Sequence, residues 1–243
     1  MIEKGEGMKD EIAILMAAGL GSRMRPLTLD CPKPLISVCG KPMIETVLDA
    51  LEKRGVRDIY IVTGYLGDRF SILKEKYHNI TLVRNEYYET VNNISSIHAV
   101  TDVMRGRSCF ICEADLYISN AEVLLCEHEG SCYYGKFVKG FSDDWVFDQD
   151  ESGRITRVGK CGTDCYNMCG ISYFQKEDAS LIADAIDEAW GKEGYEDLFW
   201  DEIVDSSLDR LNLRVHPIDP KDIVEIDTVD ELREVEEESG KRV

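Results

Sequence analysis

The 243-residue chain has no long apolar run, and a helix that crosses a bilayer needs about twenty consecutive residues of that kind. Positive charge is scarce as well: 28 Lys plus Arg stand against 47 Asp plus Glu, for a formal charge of −19. A surface of that sign repels polynucleotides and anionic membranes, so neither is expected as a partner. Two familiar phosphate-binding patterns are incomplete. Gly19 and Gly21 lack the third glycine of a dinucleotide fingerprint, and no Gly-Lys-Ser/Thr follows them as a P-loop requires. Zinc-ribbon spacing is also missing. Of nine cysteines, Cys161, Cys165 and Cys169 are spaced C-x3-C-x3-C rather than in C-x2-C pairs, with only His128 and His216 available as a fourth ligand. Reduced, partly buried cysteines in an intracellular protein are the expectation. With the polar opening MIEKGEGMKD, the chain reads as soluble and cytoplasmic. Self-association into a homo-oligomer is left open.

What is present is an alternation of apolar runs and helical patterns. Ile12, Ile14, Leu15 and Met16 predict a strand, as do Ile59 to Val62, Leu82 with Val83, and Cys109 to Cys112. Ile44, Val47, Leu48 and Leu51 predict a helix between the first two strands, and Phe70, Leu73 and Tyr77 another before the third. This order predicts an α/β fold, Rossmann-like, with a mixed, mostly parallel central sheet flanked by helices and ligands at the carboxyl ends of its strands. The second half changes character. Strands are expected at Tyr133 to Val138, Trp145 to Phe147 and Gly170 to Phe174, with turns at Ser142-Asp143-Asp144 and Glu151-Ser152-Gly153. A helix carrying Ile182, Ile186, Ala189 and Trp190 follows, then another near Asp197, a short strand around Leu213 to Val215 and an acidic helix from Thr228 to Glu238. Without repeats or long linkers, residues 1–243 read as a single domain, with a nucleotide-binding half at about 8–130 and an acceptor-binding half at about 131–243.

The segment LMAAGLGSRMRPLTLDCPKPL, Leu15 to Leu35, is the most informative. Ala18, Gly19, Gly21 and Ser22 form a tight loop behind a buried strand, where backbone amides can approach a polyphosphate. Arg23, Arg25, Lys33 and Lys41 add positive charge against the global field, which points to a nucleoside triphosphate handled with a divalent metal. Such a site needs carboxylates at strand ends. Glu113-Ala114-Asp115 and Glu225-Ile226-Asp227 supply them, and Asp115 with Asp227 suits Mg²⁺, which takes few protein carboxylates and completes its shell with phosphate and water. Glu225 and Asp227, two apart in an extended segment, share a face. Asp227 before Thr228 also reads as a helix N-cap, so that alternative stands beside the metal role.

The run resembles the nucleotidyltransferase signature L-A-A-G-x-G-x-R-x-x-P-x-T…P-K. Gly19, Gly21, Arg23, Pro26, Thr28, Pro32 and Lys33 match it, and Met16 replaces a common Ala or Leu. The later segments EYYETVNNISSIHAV, EADLY, Trp145, DLFWDE and VEIDTVDEL are similar to bacterial CTP:phosphocholine cytidylyltransferases, in the same order along nearly the whole chain. That resemblance implies transfer of CMP from CTP to phosphocholine, giving CDP-choline and pyrophosphate. Lys33 and Arg23 would then be the catalytic cations, and Asn92, Asn93 and Ser95 would contact the nucleotide. Choline's quaternary ammonium has no N–H to donate, so it needs aromatic faces and negative charge. Trp145, Phe199 and Trp200 offer rings, and Asp197, Asp201 and Glu225 offer carboxylates. Phe199 and Trp200 suit a packed core equally well, and Asn92 and Asn93 suit N-capping. Phosphoethanolamine and 2-aminoethylphosphonate are rival acceptors, since a primary ammonium needs carboxylates more than rings. A sugar-1-phosphate nucleotidyltransferase ranks next, and a catalytically silent subunit last, because Lys33, Asp115 and Asp227 are all present.

Overall fold

In the computed structural model of the protein, residues 10–240 are described; the polar opening segment 1–9 and residues 241–243 lie outside that range. Strand β1 (Glu11–Ala17) is buried on both faces, with Ala13, Leu15 and Ala17 in one apolar cluster and Ile12 and Ile14 in a second. Burial on both sides explains why it reads as an unbroken apolar run. Three short 3₁₀ turns, Ser22–Met24, Leu27–Leu29 and Lys33–Leu35, carry the glycine loop onward. A small hairpin, β2 (Ser37–Val38) and β3 (Lys41–Pro42), leads into α1 (Met43–Arg54). There Ile44, Val47, Leu48 and Leu51 are buried as their spacing predicts, and Gly55 at φ 93° ends the helix.

Strands β4 (Asp58–Thr63) and β5 (Ile80–Arg84) come next. The helix expected between them forms as a 3₁₀ run, Gly67–Glu75. Phe70 and Leu73, three residues apart, stack on one side of such a turn. Tyr77 lies beyond its end, buried, with its hydroxyl donating to Asp49 Oδ1 at 2.5 Å. Two short helices, α2 (Ile94–His98) and α3 (Thr101–Met104), precede β6 (Ser108–Glu113). β1 lies between β4 and β6 with all three parallel, and β5 flanks β4. The strand order reverses at β1, so a crevice opens at the carboxyl ends of β1 and β6, where such sheets bind ligands.

After β7 (Leu116–Ile118), the strands expected in the second half prove to be stretches of two long ones, β8 (Cys132–Gln149) and β9 (Ile155–Phe174). The turn at Glu151-Ser152-Gly153 joins them, with Gly153 at φ 79°. The turn expected at Ser142-Asp143-Asp144 is instead a fold within β8, where the register slips. Tyr166 pairs with Phe137 on one side and Phe147 on the other, so β8 doubles across β9. Helices α4 (Lys176–Ala189) and α5 (Trp200–Ser206), strands β10 (Arg214–Pro217) and β11 (Ile223–Glu225), and helix α6 (Val229–Gly240) complete the chain.

The main sheet runs β10-β8-β9-β6-β1-β4-β5, mostly parallel, with β9 antiparallel to both β6 and β8. A separate two-stranded ribbon pairs β11 antiparallel with β7, setting Glu225 opposite Leu116. Leu232 of α6 and Ile226 pack with Met24, Ile36, Val38 and Met43, tying the end of the chain to the glycine loop. Among the described residues, no helix is long and apolar enough to cross a membrane.

Candidate active site

The glycine loop turns around Lys33. Gly21 sits at φ 60°, and a Cβ there would lie 2.9 Å from the Lys33 Cβ and 3.0 Å from Thr28 Cγ2. Only glycine allows the loop to close this tightly on the lysine stem. The Thr28 hydroxyl donates to the Gly21 carbonyl at 2.9 Å, and Tyr65 donates to the Thr28 carbonyl at 3.0 Å, so the loop is braced from two directions. Ala18, Gly19, Gly21, Ser22 and Arg23 line one wall of a cleft of about 470 Å³ at the carboxyl ends of β1 and β6. Lys41 faces elsewhere and pairs with Asp49 of α1.

The Lys33 ammonium, on a residue only 7 % exposed, donates to Asp115 Oδ2 at 2.5 Å and to Asp227 Oδ1 at 2.6 Å. Burial pulls its pKa down, but the two carboxylates outweigh that and raise it above the ordinary lysine value. Asp227 also accepts an ion pair from Arg23 Nη2 at 2.7 Å, on a side chain 68 % exposed. Aspartates 112 residues apart in sequence meet because of the β7–β11 ribbon, in which the Ile226 N–H reaches the Asp115 carbonyl at 3.4 Å. The Asp227 N–H is bound by the Glu231 carboxylate at 2.7 Å, and it is Thr228 whose hydroxyl accepts the Glu231 N–H at 3.2 Å. The helix cap is therefore Thr228, and the Asp227 side chain turns to the cleft.

Carboxylate oxygens of Asp115, Glu225 and Asp227 lie within 4.8 Å of one another. Glu113, which sequence reasoning quoted without giving it a role, also lines this cleft. It lies two residues before Asp115, the same alternation that links Glu225 with Asp227. Gly170 at φ 70° makes room for it, since a Cβ there would come within 2.9 Å of the Glu113 carboxylate. Burial, then repulsion from Glu225 and Asp115, holds the Glu113 pKa well above the usual carboxylate range. Burial, Asp115 and Asp227 together push Glu225 up to about 8. Four acids thus crowd around one lysine, and hard oxygen donors of this kind suit a divalent cation such as Mg²⁺.

The far wall comes from the second half. Asn92 donates from Nδ2 to the Asp197 carbonyl at 3.1 Å, and Asn93 Oδ1 accepts the Trp200 N–H at 3.0 Å. Both asparagines line the cleft while clamping the segment that carries Phe199, another lining residue. The Phe199 ring stands edge-on to Trp145, with centroids 5.4 Å apart. Several expected contacts are corrected. Ser95 is buried, donating to the Asn92 carbonyl at 2.8 Å and accepting from Asn85 at 2.8 Å, and its neighbour Ser96 faces the cleft instead. Trp200, 3 % exposed, belongs to the core, where it stacks on Tyr133 and meets Phe174 edge-on. Asp201, 4 % exposed, accepts the Tyr133 hydroxyl at 3.0 Å and is locked behind the wall. Asp197 contributes its backbone to the clamp, and its exposed side chain is not part of the lining. Tyr88, a lining residue that sequence reasoning missed, had no signal beyond its place in the segment EYYETVNN.

A mixed, mostly parallel sheet with a glycine loop, a buried lysine and converging carboxylates at its switch point defines a nucleotidyltransferase. The MobA-like NTP transferase domain matches residues 13–127. A 2-aminoethylphosphonate cytidylyltransferase of Lancefieldella rimae is 48 % identical over 94 % of this chain and 93 % of its own. A choline-phosphate cytidylyltransferase of Streptococcus pneumoniae is 31 % identical over 93 % and 96 %. The solved structure of a CTP:phosphocholine cytidylyltransferase from Streptococcus pneumoniae superposes with a TM-score of 0.86 at 30 % identity, over 94 % of this chain and 99 % of that one. The chain belongs to the cytidylyltransferase family of nucleotidyltransferases.

Proposed function

We propose that the protein transfers CMP from CTP to a small acceptor carrying both a phosphonate or phosphate and an ammonium group, with release of pyrophosphate. The observation that carries this reading is Lys33 held between Asp115 and Asp227 on the floor of the cleft. The acceptor's anionic oxygen attacks the α-phosphorus in line. A phosphate monoester is mostly dianionic near neutral pH, its second pKa being about 6, and a phosphonate likewise presents an already ionised oxygen, so the chain needs no general base. The difficulty is bringing two anions together, and catalysis is therefore positioning and charge neutralisation. Amides of the Gly19–Ser22 loop and Arg23 hold the leaving phosphates. Lys33 bridges the α-phosphate and the incoming oxygen. Asp115 and Asp227, with Glu225 beside them, would hold Mg²⁺, which supplies further neutralisation at the α-phosphate.

Among acceptors we favour 2-aminoethylphosphonate over phosphocholine, the acceptor the sequence suggested first. Of the three rings the sequence offered, Phe199 alone lines the cleft, beside the carboxyl groups of Glu113 and Glu225, which can accept hydrogen bonds from a primary ammonium. The relative with 48 % identity is named for the same acceptor. Phosphocholine stays as the second reading because the Trp145 and Phe199 rings already attract a cation, with Lys160 Nζ 5.8 and 5.5 Å from their centroids. The test is pyrophosphate release from CTP and Mg²⁺ with 2-aminoethylphosphonate, phosphoethanolamine and phosphocholine side by side. The highest kcat/KM is expected for 2-aminoethylphosphonate. A higher value for phosphocholine would reverse the choice of acceptor, and no release with any of the three would sink the proposed reaction. Asp227→Ala is expected to raise the Mg²⁺ concentration needed for half-maximal rate, and unchanged metal dependence would remove Asp227 from the metal site.

A further inference from the structure

β8 runs parallel to β6, because both are antiparallel to β9. The start of β8 therefore lies at the end of the sheet opposite the cleft. There the loop after Ala121–Leu124 brings Cys126 and His128 against His216 of β10, a strand that pairs parallel with β8 and sets His216 opposite Tyr134. Cys126 Sγ is 3.5 Å from His216 Nε2 and 3.9 Å from His128 Nε2. One ligand atom from each of the three residues lies within 4.8 Å of the others. A tetrahedral zinc ion with Zn–S near 2.3 Å and Zn–N near 2.05 Å sets its sulfur and nitrogen donors about 3.6 Å apart. The observed separations bracket that value.

We propose that Cys126, His128 and His216 form a zinc-binding site, separate from the nucleotide cleft, with the Tyr134 hydroxyl or a water at the fourth corner. The Tyr134 oxygen is placed for it, 3.5 Å from Cys126 Sγ and 3.1 Å from His128 Nε2. Outer contacts orient the ligands. Cys132 Sγ lies 3.5 Å from His128 Nδ1, so a proton held on Nδ1 leaves Nε2 free to bind metal. The His128 ring stacks on Tyr173 at 4.5 Å, and Arg54 Nη1 donates to the carbonyls of Leu124 and Cys126 at 2.5 and 2.7 Å, fixing the loop. One sulfur and two imidazole donors select a borderline ion such as Zn²⁺, whereas the all-oxygen cluster of the cleft selects a hard one. Two regions distant in sequence, the 125–131 loop and β10, would be joined by the ion.

The test is titration of protein stripped with chelator and kept under reductant, using Co²⁺ as a spectroscopic stand-in for Zn²⁺. One equivalent is expected to give a thiolate-to-cobalt charge-transfer band, which competing Zn²⁺ removes. The band should persist in Asp115→Asn, which alters only the carboxylate site, and vanish in Cys126→Ser. His216→Ala, which keeps every thiol, should weaken Zn²⁺ binding by at least about a hundredfold, since even outer-shell partners are worth 10–100-fold. Zn²⁺ should also raise the unfolding temperature of wild-type protein and not that of Cys126→Ser. Absence of the band, or a band undiminished in Cys126→Ser and thus arising from another thiol such as exposed Cys39 or Cys161, would overturn the proposal.

Discussion

Lys33 is where loop, sheet and ribbon converge, and its removal leaves two acids facing each other without their cation. Lys33→Ala is expected to lower kcat by more than about a hundredfold, the range seen for loss of a charge-stabilising group. Steady-state turnover with saturating CTP measures it, and near wild-type kcat would take Lys33 out of the reaction. The residue is legible in the sequence because the loop motif and the Pro-Lys that follows it are contiguous. Glu225 and Asp227 are legible through strand alternation. Trp200 and Asp201 were not, because whether a ring or an acid faces cleft or core is set by the phase of α5, and consecutive residues of a helix point about 100° apart. Asp201 carries a prediction of its own. Burial pushes its pKa up to about 7, only partly opposed by the Tyr133 hydrogen bond, against about 3.9 in an unfolded chain. Between those values the folded state keeps a proton that the unfolded state has released. Stability contributed by this group therefore declines as pH rises from about 4 to about 7, by at most about 1.4 kcal/mol per pH unit. Asp201→Asn, which preserves an acceptor for Tyr133, should flatten that part of the profile. Urea unfolding of both proteins at pH 5 and pH 8 measures the contrast, and identical pH slopes would show that Asp201 is ionised throughout.

At the scale of elements, the parallel strands β1, β4, β5 and β6 are the legible part. The core strands among them are buried on both faces, and their apolar runs and intervening helical pattern need no knowledge of distant partners. The fold in β8 is illegible, because Ser142-Asp143-Asp144 has turn composition whether the chain reverses there or slips register against β9. The 3₁₀ run Gly67–Glu75 is illegible for a similar reason: Phe70 and Leu73 fit either helix type. The start of α5 gives the sharpest test, because Phe199 meets the partly buried Trp145 there, while the next residue, Trp200, is buried against Tyr133 and Phe174. Trp200→Ala should destabilise the fold by about 3–5 kcal/mol, the usual range for emptying a large aromatic site in a core. Trp145→Ala, by contrast, should raise KM for the acceptor while leaving KM for CTP nearly unchanged. Unfolding temperatures and paired KM values separate the two, and equal loss of both substrates in Trp145→Ala would mark that ring as structural.

The whole molecule carries a formal charge of −19, and its substrates are anions. Arg23 and Lys33 attract phosphate only at short range, and in the free protein both are already paired with acids. Within the Debye length, which is about 10 Å at 0.1 M salt and 30 Å at 0.01 M, but outside the cleft, an approaching triphosphate meets chiefly the acidic surface. Where a cleft's field steers the substrate inward, salt slows association; a net charge of −19 gives the opposite long-range sign for an anionic substrate. With Mg²⁺ held fixed, raising monovalent salt from 0.01 M to 0.15 M is therefore expected to increase kcat/KM for CTP, by about two- to fivefold, with little change in kcat, because screening removes the long-range repulsion before it reaches contacts within the cleft. A steady fall in kcat/KM across that range would mean that the loop cations, rather than the acidic surface, govern how CTP arrives.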